Sequence, residues 1–284
     1  MLTRRGFAEA SFRFVSATAE FSMIGVAGRR LRMGQWHREA TGRRPLVLLN
    51  GIGMNIELLE PVARELDDRR IISIDMPGIG KSPDPVFPYT IPCMALTLAT
   101  LLDRLRIDRA DIAGISWGGA VAQQFAFQHR AKTGGLILAA TASGGATMVP
   151  ANASIFSHLV DPMEYTVERA LRRNLASLYN GGGLGSVSLN AAKAPSPLGW
   201  ACQMTAFGAW SSVPFLPLIS PPTLIMADED DQLIPPANSH FLHNAIPGSQ
   251  LEMFRGGGHL FMLSDPVAFG NRVRAFLDAA ARKG

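Results

Sequence analysis

One short run constrains the fold more than any other feature. Gly114-Ile115-Ser116-Trp117-Gly118, extended by Gly119, lies between an apolar stretch, Asp111–Ile115, and an uninterrupted helical pattern over about 120–128. A G-x-S-x-G spacing in that setting puts the serine on a tight strand-to-helix turn with strained backbone angles, which only small neighbours accommodate. The hydroxyl then projects beyond the carboxyl end of a sheet, beside a helix N-terminus that favours developing negative charge. A phosphate-binding loop does not fit, because no Lys-Ser/Thr pair follows the glycines.

The rest of the chain supplies the sheet that such a turn needs. Short apolar runs alternate with helical patterns, the signature of a parallel sheet covered on both faces. Phe21–Val26 and Leu31–His37 read as an opening antiparallel pair turning at Gly28. Pro45–Asn50, Ile71–Asp75, Asp111–Ile115, Leu136–Thr141, Thr223–Ala227 and Gln250–Phe254 read as further strands. Helices are expected at 56–66 and 91–106, and a closing one begins at Asp265-Pro266, a cap followed by proline at the first helical position. Between Thr141 and Thr223 the rhythm stops, over a distance too long for a loop in a compact domain, so helices of its own are expected there. Asp161-Pro162-Met163-Glu164 is a helix start, with the helix running towards Tyr179 and stopping at Gly181-Gly182-Gly183. The expected division is an N-terminal extension over 1–20, a core over 21–146, a helical cap over 147–217 and the remainder of the core over 218–284.

Composition sets limits on partners and place. The apolar fraction of 47% and charged fraction of 18% exclude a disordered chain. The net charge is +4, yet no basic run is interleaved with aromatics along a helix, so nucleic acid is not an expected partner. Prolines and glycines interrupt the uncharged stretches 133–160 and 194–227, so no membrane span is expected. Cys93 and Cys202 have no partner pattern and read as buried thiols in a reducing, cytoplasmic compartment. Thr3-Arg4-Arg5-Gly6-Phe7 looks like a twin-arginine start, but Glu9, Arg13 and Glu20 break the apolar stretch that export requires, leaving an amphipathic extension as the expectation.

A serine hydroxyl needs a histidine to take its proton. Of six histidines, His259 follows the last strand after Gly256-Gly257-Gly258, where the third member of a Ser…Asp…His order belongs, and is the expected base. His240 and His243, on one helix, lack a third metal ligand. The carboxylate that orients His259 belongs after the preceding strand, where Asp228, Glu229, Asp230 and Asp231 stand in a row. Pro235, four residues beyond Asp231, recurs in hydrolases of this type and favours Asp231; Asp228 and Asp230 remain alternatives. The backbone N–H groups of Trp117 and Ile52, the latter in Asn50-Gly51-Ile52-Gly53, are the expected oxyanion donors.

With those residues in place, the chain resembles the intracellular depolymerases of medium-chain poly(3-hydroxyalkanoate), within the α/β-hydrolase superfamily. The resemblance is densest in LLNGIGMNIELLEP (48–61), DMPGIGKS (75–82), GISWGGAVAQQFA (114–126), LAATASGGATMVP (138–150) and LIPPAN (233–238). It implies an α/β-hydrolase fold, mostly parallel with an inserted helical cap, and a Ser116, Asp231, His259 triad. It implies no metal or organic cofactor, and an apolar polyester or ester substrate met at a storage-granule surface. Asp228 stands where relatives usually have Gly, and Gln232 where Pro is common. Residues 133–227 carry only seven charged residues, and Trp200, Phe207 and Trp210 within them are expected to bind an apolar substrate. The competing expectations are a carboxylesterase or lactonase for small esters and a carbon–carbon bond hydrolase. A ligand receptor or granule-coat protein on the same fold has no need of a complete triad.

Overall fold

The computed structural model describes residues 19–151, 153–178 and 189–282. The twin-arginine-like start, nearly all of the expected N-terminal extension and the Gly181–Gly183 stop lie outside the described residues.

Among the described residues, eight strands form one sheet: β1 (Glu20–Val26), β2 (Arg29–Trp36), β3 (Leu46–Leu49), β4 (Ile71–Ile74), β5 (Ala110–Ile115), β6 (Thr133–Ala139), β7 (Thr223–Asp228) and β8 (Gln250–Phe254). Their order across the sheet is β1-β2-β4-β3-β5-β6-β7-β8. β1 and β2 pair antiparallel, as do β2 and β4; every pairing from β4 through β8 is parallel. The architecture is thus the α/β-hydrolase fold expected from the sequence. The inner strands are buried along their whole length, which is why they read as continuous apolar runs without alternation.

The alternation is still there in the contacts. Val47 and Leu49 join the core on one face of the sheet, while Leu46 and Leu48 join the core on the other. The α-helices of the described residues are α1 (Glu60–Glu65), α2 (Ile91–Arg104), α3 (Trp117–Gln128), α4 (Ala153–Val160), α5 (Pro162–Thr166), α6 (Glu168–Ser177), α7 (Pro197–Gly208), α8 (Ala237–Ala245), α9 (Phe261–Ser264) and α10 (Pro266–Ala281). α2 and α3 cover the first face through Met94, Leu98, Val121 and Phe125. α1 and α10 cover the second through Val62, Phe269, Val273 and Leu277. Truncating one of these buried side chains, Leu98→Ala for example, costs about 2–5 kcal/mol. No helix among the described residues is long and apolar enough to cross a membrane.

Helices α4 to α7 occupy the interval between β6 and β7. The single helix expected from Asp161 is in fact two. Asp161 caps the first, accepting from Met163 N–H at 2.8 Å. Val167 then turns extended (φ −109°, ψ 116°), and Thr166 Oγ1 donates to the carbonyl of Pro162. Two adjacent β-branched residues, one bonding back to its own turn, weaken helix continuation there.

Parallel register sets where the loops emerge. Leu49 pairs with Gly114, Gly114 with Leu138, Ala139 with Met226, and Asp228 with Phe254. The chain therefore leaves β3, β5, β6, β7 and β8 along one carboxyl edge, the place where open α/β sheets bind ligands.

Candidate active site

Ser116 is the residue between β5 and α3. Its φ of 52° and ψ of −116° lie where L-residues are strained. Three hydrogen bonds hold that conformation. Ser116 N–H donates to Ala139 O at 2.9 Å. Its carbonyl accepts from Thr141 Oγ1 at 2.7 Å and from Gly119 N–H at 2.9 Å. The flanking glycines are a packing requirement. A Cβ on Gly118 would lie 2.5 Å from Leu49 O, one on Gly119 would meet the Thr141 side chain, and one on Gly114 would meet the Gly118 carbonyl. Any side chain at these positions would force the turn open.

The β7 and β8 loops meet beside this turn's edge of the sheet. His259 Nδ1 lies 2.8 Å from Asp231 Oδ2, and both side chains are buried. A carboxylate can only accept, so Nδ1 is the donor, and in the neutral ring this leaves the lone pair on Nε2. The other Asp231 oxygen accepts from Leu233 N–H at 2.9 Å and Ile234 N–H at 2.8 Å, which fixes the carboxylate. Asp228 and Asp230 are engaged elsewhere. Asp228 accepts from Asp230 N–H at 2.9 Å and Gly257 N–H at 3.0 Å, and Asp230 accepts from Gly256 N–H at 2.8 Å. Neither hydrogen-bonds a histidine among the described residues. Ser116 Oγ forms no side-chain hydrogen bond with His259 among the described residues; contacts of this kind tighten when substrate binds.

The β3 loop closes in on the serine from the other side. A Cβ on Gly51 would lie 3.9 Å from Ser116 Oγ. Gly51 N–H donates to Asn50 Oδ1 at 3.0 Å, and Gly53 N–H donates to Gln203 Oε1 at 2.8 Å. Ile52 N–H, between them, has no acceptor among the described residues. Trp117 N–H opens α3 and has no intrahelical acceptor. The Trp117 side chain is pinned, its indole N–H donating to Gln203 O at 2.9 Å. Gln203, buried in α7, therefore touches both loops. Sequence reasoning passed it over, because a single glutamine among Met, Ala and Cys carries no pattern.

A cavity of about 320 Å³ opens at Ser116, with Ile52, Trp117 and Phe207 in its wall. Trp200 and Trp210 are not in that wall. Trp210 is buried, its indole N–H donating to Gln124 Oε1 at 2.7 Å, and Trp200 is half-buried against the core on the second face of the sheet. Met148, Phe156, Leu159, Met204, Leu233 and Ile234 supply the apolar wall instead. Several of these could have been suspected from their proximity to the MVP and LIP runs. Tyr165 lies against Gly53 from α5, and burial pushes its phenol up to about 12, so it stays protonated.

Comparison with known proteins bears on the fold and the family. A family model described as the alpha/beta hydrolase fold matches residues 44–266. A poly(3-hydroxyalkanoate) depolymerase from Ectopseudomonas oleovorans is 36% identical over 239 residues, covering 82% of this chain and 84% of the relative. Among solved structures, the enol-lactonase from Burkholderia xenovorans LB400 superposes with a TM-score of 0.79 at 22% identity, over 90% of this chain and all of the other (100%). A thermophilic esterase from Thermogutta terrifontis gives 0.75 at 24% identity, over 92% and 99% of the two chains.

Proposed function

The chain belongs to the α/β-hydrolase family, and on that premise we propose that it cleaves carboxylic esters, with polyesters of medium-chain 3-hydroxy acids or their oligomers as substrates. In this reading Ser116 is the nucleophile, His259 the general base and Asp231 its orienting acid. The observation that carries it is the buried His259–Asp231 pair at 2.8 Å, on loops that leave the same edge of the sheet as a serine in strained backbone geometry. The name of the depolymerase relative supports the polyester, and the apolar wall around Ser116 agrees with it.

His259 Nε2 takes the Ser116 proton as Oγ attacks the ester carbonyl. The resulting oxyanion accepts from the N–H groups of Ile52 and Trp117, donors already in position before charge develops. The imidazolium, stabilised by Asp231, then gives its proton to the leaving alcohol oxygen, and the acyl group stays on Ser116. Water attacks the acyl-enzyme with His259 again as base, which releases the acid and restores Ser116. Residues 147–217 act as a cap, contributing apolar side chains from α4 and α7 to the acyl cavity.

The test pairs a chemical probe with a mutation. A fluorophosphonate should label the wild-type protein at Ser116, and Ser116→Ala should abolish both labelling and ester turnover, a loss on the order of 10⁴-fold or more. Retention of a tenth of the wild-type rate by Ser116→Ala would remove the serine from the mechanism.

A further inference from the structure

Two cavities adjoin the catalytic loops. The one described above is lined by Ser116; a second, of about 280 Å³, is lined by His259. Leu159 and Leu233 belong to both walls and form the partition between them. Both have apolar walls, Ile155, Leu159 and Leu178 in the second, but the second is the more polar. The Ser116 side is built from Met148, Phe156, Met204 and Phe207, whereas the His259 side presents Asn174, Ser177, Asp230 and Gln232.

Acyl transfer distinguishes these two sides. The acyl carbon must bond to Ser116 Oγ with its oxygen at Ile52 and Trp117, while the leaving oxygen must sit within reach of the proton on His259. We infer that the cavity beside His259 is the subsite for the alcohol half of the ester, and that it takes an alcohol bearing uncharged hydrogen-bond acceptors of its own, such as a hydroxyacyl unit whose carboxyl is still esterified. This rests on the esterase reading above.

The residues specify that class of alcohol. Gln232 follows the Asp231 turn, which two backbone N–H bonds hold rigid. Its exposed amide has no side-chain partner among the described residues and offers two donors. Asn174 is half-buried and shares this wall with Tyr165. Asp230, fixed by Gly256 N–H, sets a negative charge there that opposes a free carboxylate. His158 reaches the same cavity, but its ring faces Glu164 at 3.9 Å. An interior unit of a polyester meets these conditions, and a chain end with a free acid meets them poorly.

Three esters of one acyl group make the test: the methyl ester of a 3-acyloxy acid, the corresponding free acid, and the simple ethyl ester. The wild-type protein should prefer the 3-acyloxy methyl ester over the ethyl ester in kcat/KM by about tenfold, the size of one well-placed hydrogen bond. Gln232→Leu should bring that ratio close to unity, and Asp230→Asn should narrow the gap between methyl ester and free acid. Asn174→Leu should act like Gln232→Leu; if it fails to fold, Gln232→Leu on its exposed turn decides alone. A ratio within twofold of wild type in Gln232→Leu overturns the subsite and leaves the esterase reading standing. If the wild-type protein cleaves none of the three esters, the esterase reading fails and the subsite with it.

Discussion

A carboxylate that orients a catalytic histidine and one that ties down a loop differ in what their two oxygens accept. Asp228 spends both on backbone N–H groups, one of them Gly257 in the loop that carries His259. It staples the β7 and β8 loops together. Asp231 spends one oxygen on its own turn and turns the other to the imidazole. Substituting each by asparagine should therefore separate two observables. Asp231→Asn should lower kcat by about 10³–10⁴-fold, because the ring loses its tautomer and its counter-charge. Asp228→Asn should keep kcat within about tenfold while lowering the melting temperature, since an amide N–H₂ facing a buried backbone donor costs about 1–3 kcal/mol. Steady-state rates and thermal melts of the two variants check both arms; a collapse of kcat in Asp228→Asn would reassign the acid. The sequence narrowed the choice to three aspartates in one turn and, through Pro235, favoured Asp231 while leaving Asp228 and Asp230 open. What distinguishes them is pairing across a loop 28 residues away in the chain, which no local pattern records.

At the scale of elements, strands and the serine turn were legible because each has a local cause: apolar runs for buried parallel strands, small residues for a tight turn. The role of α7 was not. Its N-terminal cap, Ser196 accepting from Gly199 N–H at 2.9 Å, is local and readable, but what it touches is not. Gly199 meets Gly78 backbone to backbone, leaving no room for a Cβ on either, and Ser196 N–H donates to Gly78 O at 2.9 Å. Trp210, just beyond α7, is held by Gln124 of α3, so an aromatic read as cavity wall serves as an anchor. In a segment poor in charge, wall and core have the same composition. Gln203 bears on the proposed chemistry, since it holds Gly53 N–H, next to the proposed oxyanion donor Ile52. Gln203→Leu should lower kcat by about 10–100-fold with KM within about twofold, the cost of a slightly displaced donor. Gln203→Glu, which keeps an acceptor for Gly53 N–H, should recover most of the rate. A purely structural role would instead move the melting temperature of both variants and spare kcat in the folded fraction.

Seen whole, the molecule sets an apolar cavity of about 320 Å³ where four loops of one sheet edge and the inserted helices converge. The sheet was foreseeable and the cavity was not, because its wall is drawn from the β3, β5, β6 and β7 loops, α4 and α7 together. That wall nevertheless makes a definite demand on the substrate. Each methylene buried against it contributes about 0.8 kcal/mol, so lengthening an acyl group by three or four carbons could raise kcat/KM by about two orders of magnitude. The cavity lies at the small end of ligand pockets, so the gain should level off once the chain fills it. Phe156 of α4 lines the cavity while remaining 47% exposed, so part of its contact with an acyl chain is shared with solvent. An increase of about tenfold from acetyl to hexanoyl or octanoyl p-nitrophenyl esters is therefore expected. Release of 3-hydroxy acids should be faster from a medium-chain polyester suspension than from a short-chain one. Phe156→Asp, which sets a charge in the apolar wall, should flatten the chain-length profile more than it lowers acetyl ester turnover. A profile already flat in the wild-type protein, with no acid released from either polymer, would leave a small-ester hydrolase and refute the polyester assignment.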